Sequence, residues 1–260
     1  MKKYIFICVL SFLLFSCEKG SERSQALEAM SVNSCTVRSA TSEEAIAPSP
    51  LRLWIVDENM AAYDGNAGRL LTSLNGTWSL DVPVYVQGQT TGHVYAYFPY
   101  DKAATNLAAI PVDMNEQQDL LYSKLPAELT TGKSAISLVL SHALSKIVVT
   151  VDGATVKGLL LNSPITATFN VLDGSFTNTT TGTVLSSSSE LFVIPHTNAL
   201  SELNISLSNG KDYIYSISNS NFMEEKSYVY NFILNESREQ LTLQTVTIEP
   251  WIEETYQDYL

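Results

Sequence analysis

Few residues in this chain are placed to do chemistry. There are three histidines, His93, His142 and His196, and three cysteines, Cys8, Cys17 and Cys35. Each histidine lies in or beside an apolar run. No HExxH, CxxC, GxSxG or phosphate-binding glycine loop accompanies them. Ser141 directly precedes His142, but neighbours on a strand point to opposite faces, so the two are not a nucleophile and its base. His142 reads as a structural residue at a strand start. Carboxylates are numerous, yet motif and spacing single out no pair of the kind a glycosidase uses. The sequence therefore assigns no catalytic residue, no metal site and no cofactor.

The cysteine that a pattern does place is Cys17. Lys2 and Lys3 lead into an apolar stretch over residues 4–15, interrupted only by Ser11, and Ser16 stands directly before the thiol. This is the charged, apolar and small-residue order of an export signal. The stretch falls short of the roughly 20 apolar residues that span a bilayer. With a cysteine at the cut it resembles a bacterial lipoprotein signal, in which the thiol is lipidated and becomes the first mature residue. Cys8 then leaves with residues 1–17 and Cys17 is acylated, so only Cys35 is left. No internal disulfide or cysteine-based metal site can form, and the fold must stand on packing.

Charge narrows the partners. The whole chain carries 15 basic and 27 acidic residues, and removing Lys2 and Lys3 leaves 13 against 27, a net charge of −14. Nucleic acid is excluded, because it requires a basic face to displace counterions. Electrostatic docking on anionic lipid is excluded too. The lipid on Cys17 must hold the protein at the membrane by itself, which takes more than one acyl chain.

The elements that carry these residues read as β. Residues 18–50 form a polar linker in which only 32–37 has β character, and 24–30 has room for one helical turn. From Leu51 on, short strand-like runs recur, many of them alternating apolar and polar: 51–56, 80–86, 93–97, 136–140, 147–151, 167–171, 191–194, 203–207, 213–217, 228–234 and 241–248. Turn dipeptides separate them, and Asn209-Gly210 predicts a type I′ hairpin. Residues 103–125 lack alternation and suit a short helix or a long loop. The Thr- and Ser-rich residues 175–190 read as an exposed loop. In the last run the apolar phase slips by one between Gln244 and Thr245. That requires a bulge or a change of sheet, unless Val246 and Ile248 face solvent. The pattern predicts an all-β, antiparallel sandwich architecture. A composition break at 126–133 divides it into residues 51–131 and 132–260. Tyrosines cluster at 95–100 and 213–230, where cross-strand packing is the favoured reading over ligand stacking.

These segments together resemble the fimbrillin family, the lipoprotein pilin precursors of type V pili. The likeness rests on the signal ending at Cys17, HVYAYFPY at 93–100, LSHALSKIVVTV at 140–151, and KSYVYNFIL with VTIEPW at 226–234 and 246–251. The resemblance implies two transthyretin-like β-sandwich domains in series and an assembly protein, not an enzyme. It also implies export to the outer membrane as a lipoprotein held there through lipid at Cys17, a cut after an arginine, and replacement of the lost strand by one from a neighbouring subunit. Mapped here, the candidate cut follows Arg38, with Arg23 as runner-up. The candidate donor is the C-terminal segment 247–260, including Thr247, Ile248, Trp251, Ile252, Tyr256 and Leu260, unless that tail folds back on its own domain. Its partners would be other pilin subunits, with host glycans or proteins as targets of adhesion at the cell surface. A tip or anchor pilin, or a monomeric glycan-binding surface lipoprotein, are the alternatives.

Overall fold

A computed structural model describes residues 27–38, 45–65, 68–101, 104–235 and 237–251. They form strands almost throughout, with a single turn of 3₁₀ helix at Met114–Glu116 among the described residues. The strands are β1 (Ser31–Val37), β2 (Ala45–Ile46), β3 (Leu51–Val56), β4 (Gly68–Leu74), β5 (Thr77–Leu80), β6 (Gly92–Phe98), β7 (Ile110–Asp113), β8 (Leu121–Tyr122) and β9 (Ala127–Leu129). They continue as β10 (Ala135–His142), β11 (Ser145–Asp152), β12 (Val156–Asn170), β13 (Ser175–Ser186) and β14 (Glu190–Val193). The last are β15 (His196–Leu207), β16 (Asp212–Phe222), β17 (Lys226–Asn235) and β18 (Gln240–Pro250).

The first sheet runs β2-β1-β10-β8-β6-β3-β4-β5, with β9 also paired to β6. It curls until β5 lies against β1. Alternation explains the closure. Leu51, Leu53 and Ile55 point inward with Val94, Ala96, Ile136, Leu138 and Leu140, and together they fill one core. The second half packs β14-β11-β17-β18 over β13-β12-β15-β16, with β7 added to β12. The all-β sandwich expectation holds, with two departures from antiparallel pairing: β1 with β10, and β11 with β17, run parallel.

The two cores meet through the unpatterned segment. Trp54, Tyr97 and Tyr122 project from the outer face of the first sheet into the second core, and Ala104, Leu107, Ile110, Met114 and Leu120 join them there. Residues 103–125, expected as a loop or short helix, thus contribute β7, the 3₁₀ turn and β8 to the seam. Tyr122 packs edge-on against Phe169, with ring centroids 5.0 Å apart. It also lies against Gly174, a left-handed residue (φ +72°) where an added Cβ would stand 2.2 Å from the tyrosine oxygen. By packing, the core changes between Leu140 and Ala143. β10 thus packs in the first core.

Several local expectations change. Residues 175–186 are a strand, β13, and not a loop. Its threonines are β-branched and pair across β12, with Thr166 and Thr180 hydroxyls 2.5 Å apart. The hairpin at Asn209-Gly210 exists, but Gly210 alone is left-handed (φ +82°), and its N–H donates to Leu207 O. That is a type I turn closed by a glycine bulge, not type I′. Of the possible helical turn at 24–30, the described part is extended, with Met30 N–H donating to Val84 O at 2.8 Å. The phase slip in β18 is a bulge: Asn231 pairs with Thr245 and Phe232 with Leu243, so Gln244 is the extra residue. It returns Val246 and Ile248 to the face of Tyr230 and Tyr228. There they remain 43% and 56% exposed, because the facing sheet ends at β16.

Candidate functional site

The site suggested by the sequence begins at β1, and its seating follows from three side chains. Val32, Cys35 and Val37 are buried in the first core. Their spacing of three and then two breaks strict alternation. The register answers this with a shift between Val32 and Ser34: Val32 lies opposite Ile136, Cys35 opposite Leu138 and Val37 opposite Leu140. Asn33 is the extra residue of that bulge. Burial pushes the Cys35 thiol up to about 12, so it is a small apolar side chain here and not a nucleophile. β1 has partners on both sides, β10 and the two-residue β2.

Arg38 follows directly. Its side chain is exposed, and its N–H extends the ladder by donating to Leu140 O at 2.7 Å. Beyond Leu140, β10 ends in Ser141 and His142, both buried. His142 therefore closes a strand where the sequence suggested an opening. Its Nδ1 is 2.8 Å from Asp119 Oδ2, and its ring stacks on Trp251 with centroids 3.9 Å apart and planes at 8°. Phe192 covers Trp251 at 5.2 Å, and Lys146 Nζ lies 5.0 Å from its ring. The histidine is a packing and hydrogen-bonding residue of the seam.

The turn between β16 and β17 joins these parts. Glu225 is left-handed (φ +58°). Its N–H donates to Leu144 O at 3.1 Å, and its carbonyl accepts from Trp251 N–H at 2.9 Å. Lys124 Nζ bridges Glu224 at 2.8 Å and Glu225 at 3.1 Å. Burial pushes the Glu225 carboxyl up. Hydrogen bonds from Ser141 and Lys124, with the charges of Lys124 and Arg38, outweigh it and leave the group below its ordinary value.

Trp251, a candidate donor residue, is only 2% exposed and caps its own sandwich. Thr247 and Ile248 are paired within β18 opposite Val229 and Tyr228. Donating them would require unzipping β18 from β17. Cys17, Arg23, Ile252, Tyr256 and Leu260 lie outside the described residues. The structure thus brings Arg38 and Trp251 to one seam. The sequence did not mark Glu225, Lys124 or Asp119, and no local signal could have done so: their partners lie far along the chain, and only the fold joins them.

The tyrosines pack. Tyr97, Tyr228 and Tyr230 are buried, and Tyr215 meets Phe232 edge-on at 5.2 Å. Where β16 and β18 leave the second sandwich open, Ile217, Phe222, Met223, Tyr228, Val246 and Ile248 line a groove of about 410 Å³. Among the described residues no group of three or more His, Cys, Asp or Glu is gathered as metal ligands are.

The fold is shared with solved structures. A candidate cell-adhesion protein from Bacteroides uniformis is 19% identical, with a TM-score of 0.68, and the match covers 86% of this chain and 99% of that one. A second, from Bacteroides ovatus, is 17% identical, with a TM-score of 0.64 over 88% of this chain and 100% of that one. A fimbrial protein from Bacteroides vulgatus is 13% identical, with a TM-score of 0.51 over 86% and 99%. No curated protein sequence matches. The family model described as fimbrillin-like matches residues 51–251, from the start of β3 to Trp251. The chain belongs to the fimbrillin-like family.

Proposed function

We propose that this chain is a structural subunit of a cell-surface fimbria that polymerises by strand exchange. The observation that carries the reading is β1. It is an N-terminal strand contributing Val32, Cys35 and Val37 to a core otherwise built from later strands. It is followed at once by the exposed Arg38. A cut after Arg38 frees β1 from everything that follows it. Its departure leaves β10 with an unpaired edge and the core with an open apolar slot. An extended segment from a second subunit repairs both, because backbone hydrogen bonds supply affinity and alternate side chains refill the slot. Donation from tail to slot is heterologous and open, so it builds a filament and not a ring.

The donor in this reading is the segment after Trp251, residues 252–260. Ile252, Tyr256, Tyr259 and Leu260 are its apolar residues. Lipidated Cys17 is the transport anchor, shed with residues 17–38 when Arg38 is cut. The partners are other pilin subunits, and adhesion is the role of the finished fibre.

Mass spectrometry of the protein extracted from cell surfaces tests this. The expected result is an N-terminus at Ser39 with a ladder of oligomers that survives mild detergent. A monomer that keeps lipidated Cys17 would refute it.

A further inference from the structure

We propose that Glu225 is a latch joining the two ends of the strand-exchange machinery. It keeps the root of the C-terminal tail docked on its own sandwich while β1 is in place, and loosens it when β1 leaves. The proposal rests on the strand-exchange reading and adds a regulation to it.

Glu225 touches both ends. Through its carbonyl it accepts the N–H of Trp251, the last described residue before the candidate donor. Through its N–H it donates to Leu144 O, in the turn that follows β10, and β10 in turn accepts the Arg38 N–H at Leu140 O. His142, the last residue of β10, stacks on the Trp251 ring. The end of β10 therefore holds β1 on one side and the tail root on the other.

Charge makes the hold depend on β1. Glu224 and Glu225 face Lys124 directly, and the charge of Arg38 adds to what holds the Glu225 carboxyl down. Lys146 lies over the Trp251 ring, Asp119 on His142, and the Tyr122 hydroxyl donates to Glu224 at 3.4 Å. When β1 leaves with Arg38, the two carboxylates already paired with Lys124 lose a further positive charge and repel each other more strongly. The end of β10 loses its β1 flank in the same step. Both changes act on the turn whose carbonyl holds Trp251. Linkage then requires the reverse: a docked Trp251 steadies the end of β1 by the same factor.

The test is hydrogen exchange of individual amides in the full-length chain, followed by NMR for the wild type, Glu225→Gln and Arg38→Gln. Glu225→Gln is expected to speed exchange of both the Trp251 and the Arg38 amides by about tenfold, since it replaces the charged partner of Lys124 with a neutral one. Arg38→Gln, at an exposed position outside both cores, is expected to speed the Trp251 amide by about threefold. The Leu161 amide, in the middle of β12, is the internal reference and stays unchanged. If Glu225→Gln moves Leu161 too, Arg38→Gln decides alone. An unchanged Trp251 amide in Arg38→Gln overturns the latch. The measurement uses monomer and no protease, so its result is separate from whether the chain is cut or polymerises. A chain that polymerises with an unresponsive Trp251 amide would keep strand exchange and discard the latch.

Discussion

Truncating Val37 to alanine tests whether β1 is an integral part of the first core. Val37 is 1% exposed, opposite Leu140, and Val139 on the neighbouring β10 is 40% exposed. The two valines are the same residue in paired strands, one facing the core and one facing solvent. Removing two buried methyl groups forfeits about 1.6 kcal/mol of transfer free energy. The space left behind adds up to about 1 kcal/mol, because flanking strands held by ladders on both sides close in only partly. Val37→Ala is therefore expected to cost about 2–3 kcal/mol, and Val139→Ala less than about 0.5 kcal/mol. In urea unfolding followed by circular dichroism, a slope of about 2–3 kcal/mol per molar turns that loss into a midpoint lower by about 1 M. Equal midpoints for the two variants would refute the seating of β1. A smaller slope in Val37→Ala would signal a change in the compactness of one of the two states and not the loss of a core contact.

Gly174→Ala forces a Cβ against the Tyr122 hydroxyl at a left-handed position. It is expected to cost at least about 2 kcal/mol, because αL strain alone costs non-glycine residues about 1–2 kcal/mol. Thermal unfolding checks this, and Tyr122→Phe should recover part of the loss. His196 is half-buried, with Nδ1 2.8 Å from Ile194 O. Burial lowers its pKa below the ordinary 6.5, against the opposing effect of that hydrogen bond. The unfolded chain thus takes up its proton first. Stability is full above pH 6.5 and falls as the pH drops toward the folded value. Urea midpoints from pH 7 to 5 should show this slope, and His196→Gln should flatten it. Glu225 has the carboxylate sign: its contribution is present above its ordinary pKa of 4.5 and lost as the pH falls through the lowered folded value. The Trp251 amide should therefore exchange faster, relative to Leu161, only in strong acid.

Strands whose side chains alternate against one core were legible in the sequence, as Leu51, Leu53 and Ile55 show. The β4–β5 hairpin carries an equally plain local signal: Asn75-Gly76 is a type I′ pair, with φ of +52° and +75°. β13 was hidden because nearly every position of its outer stretch is exposed, which leaves no apolar period to find. Its β-branched threonines were the remaining signal. At β1, the bulge at Asn33 hides the phase that relates Val32 to Cys35 and Val37. Its parallel partner β10 begins about a hundred residues later, and no local pattern encodes so distant a pairing. The His142–Trp251 stack and the Glu225 turn belong to the same class. They arise where two cores meet, and each residue alone looks like an ordinary strand end or loop acid.

The most direct test of the central claim is to cut the purified chain at a specific protease site inserted after Arg38 and follow its mass by light scattering. The account predicts that the cut chain grows into a ladder of oligomers as the β1 peptide is released. Excess synthetic peptide covering residues 31–37 should stop that growth. A cut chain that has lost its β1 peptide and stays monomeric would contradict the account.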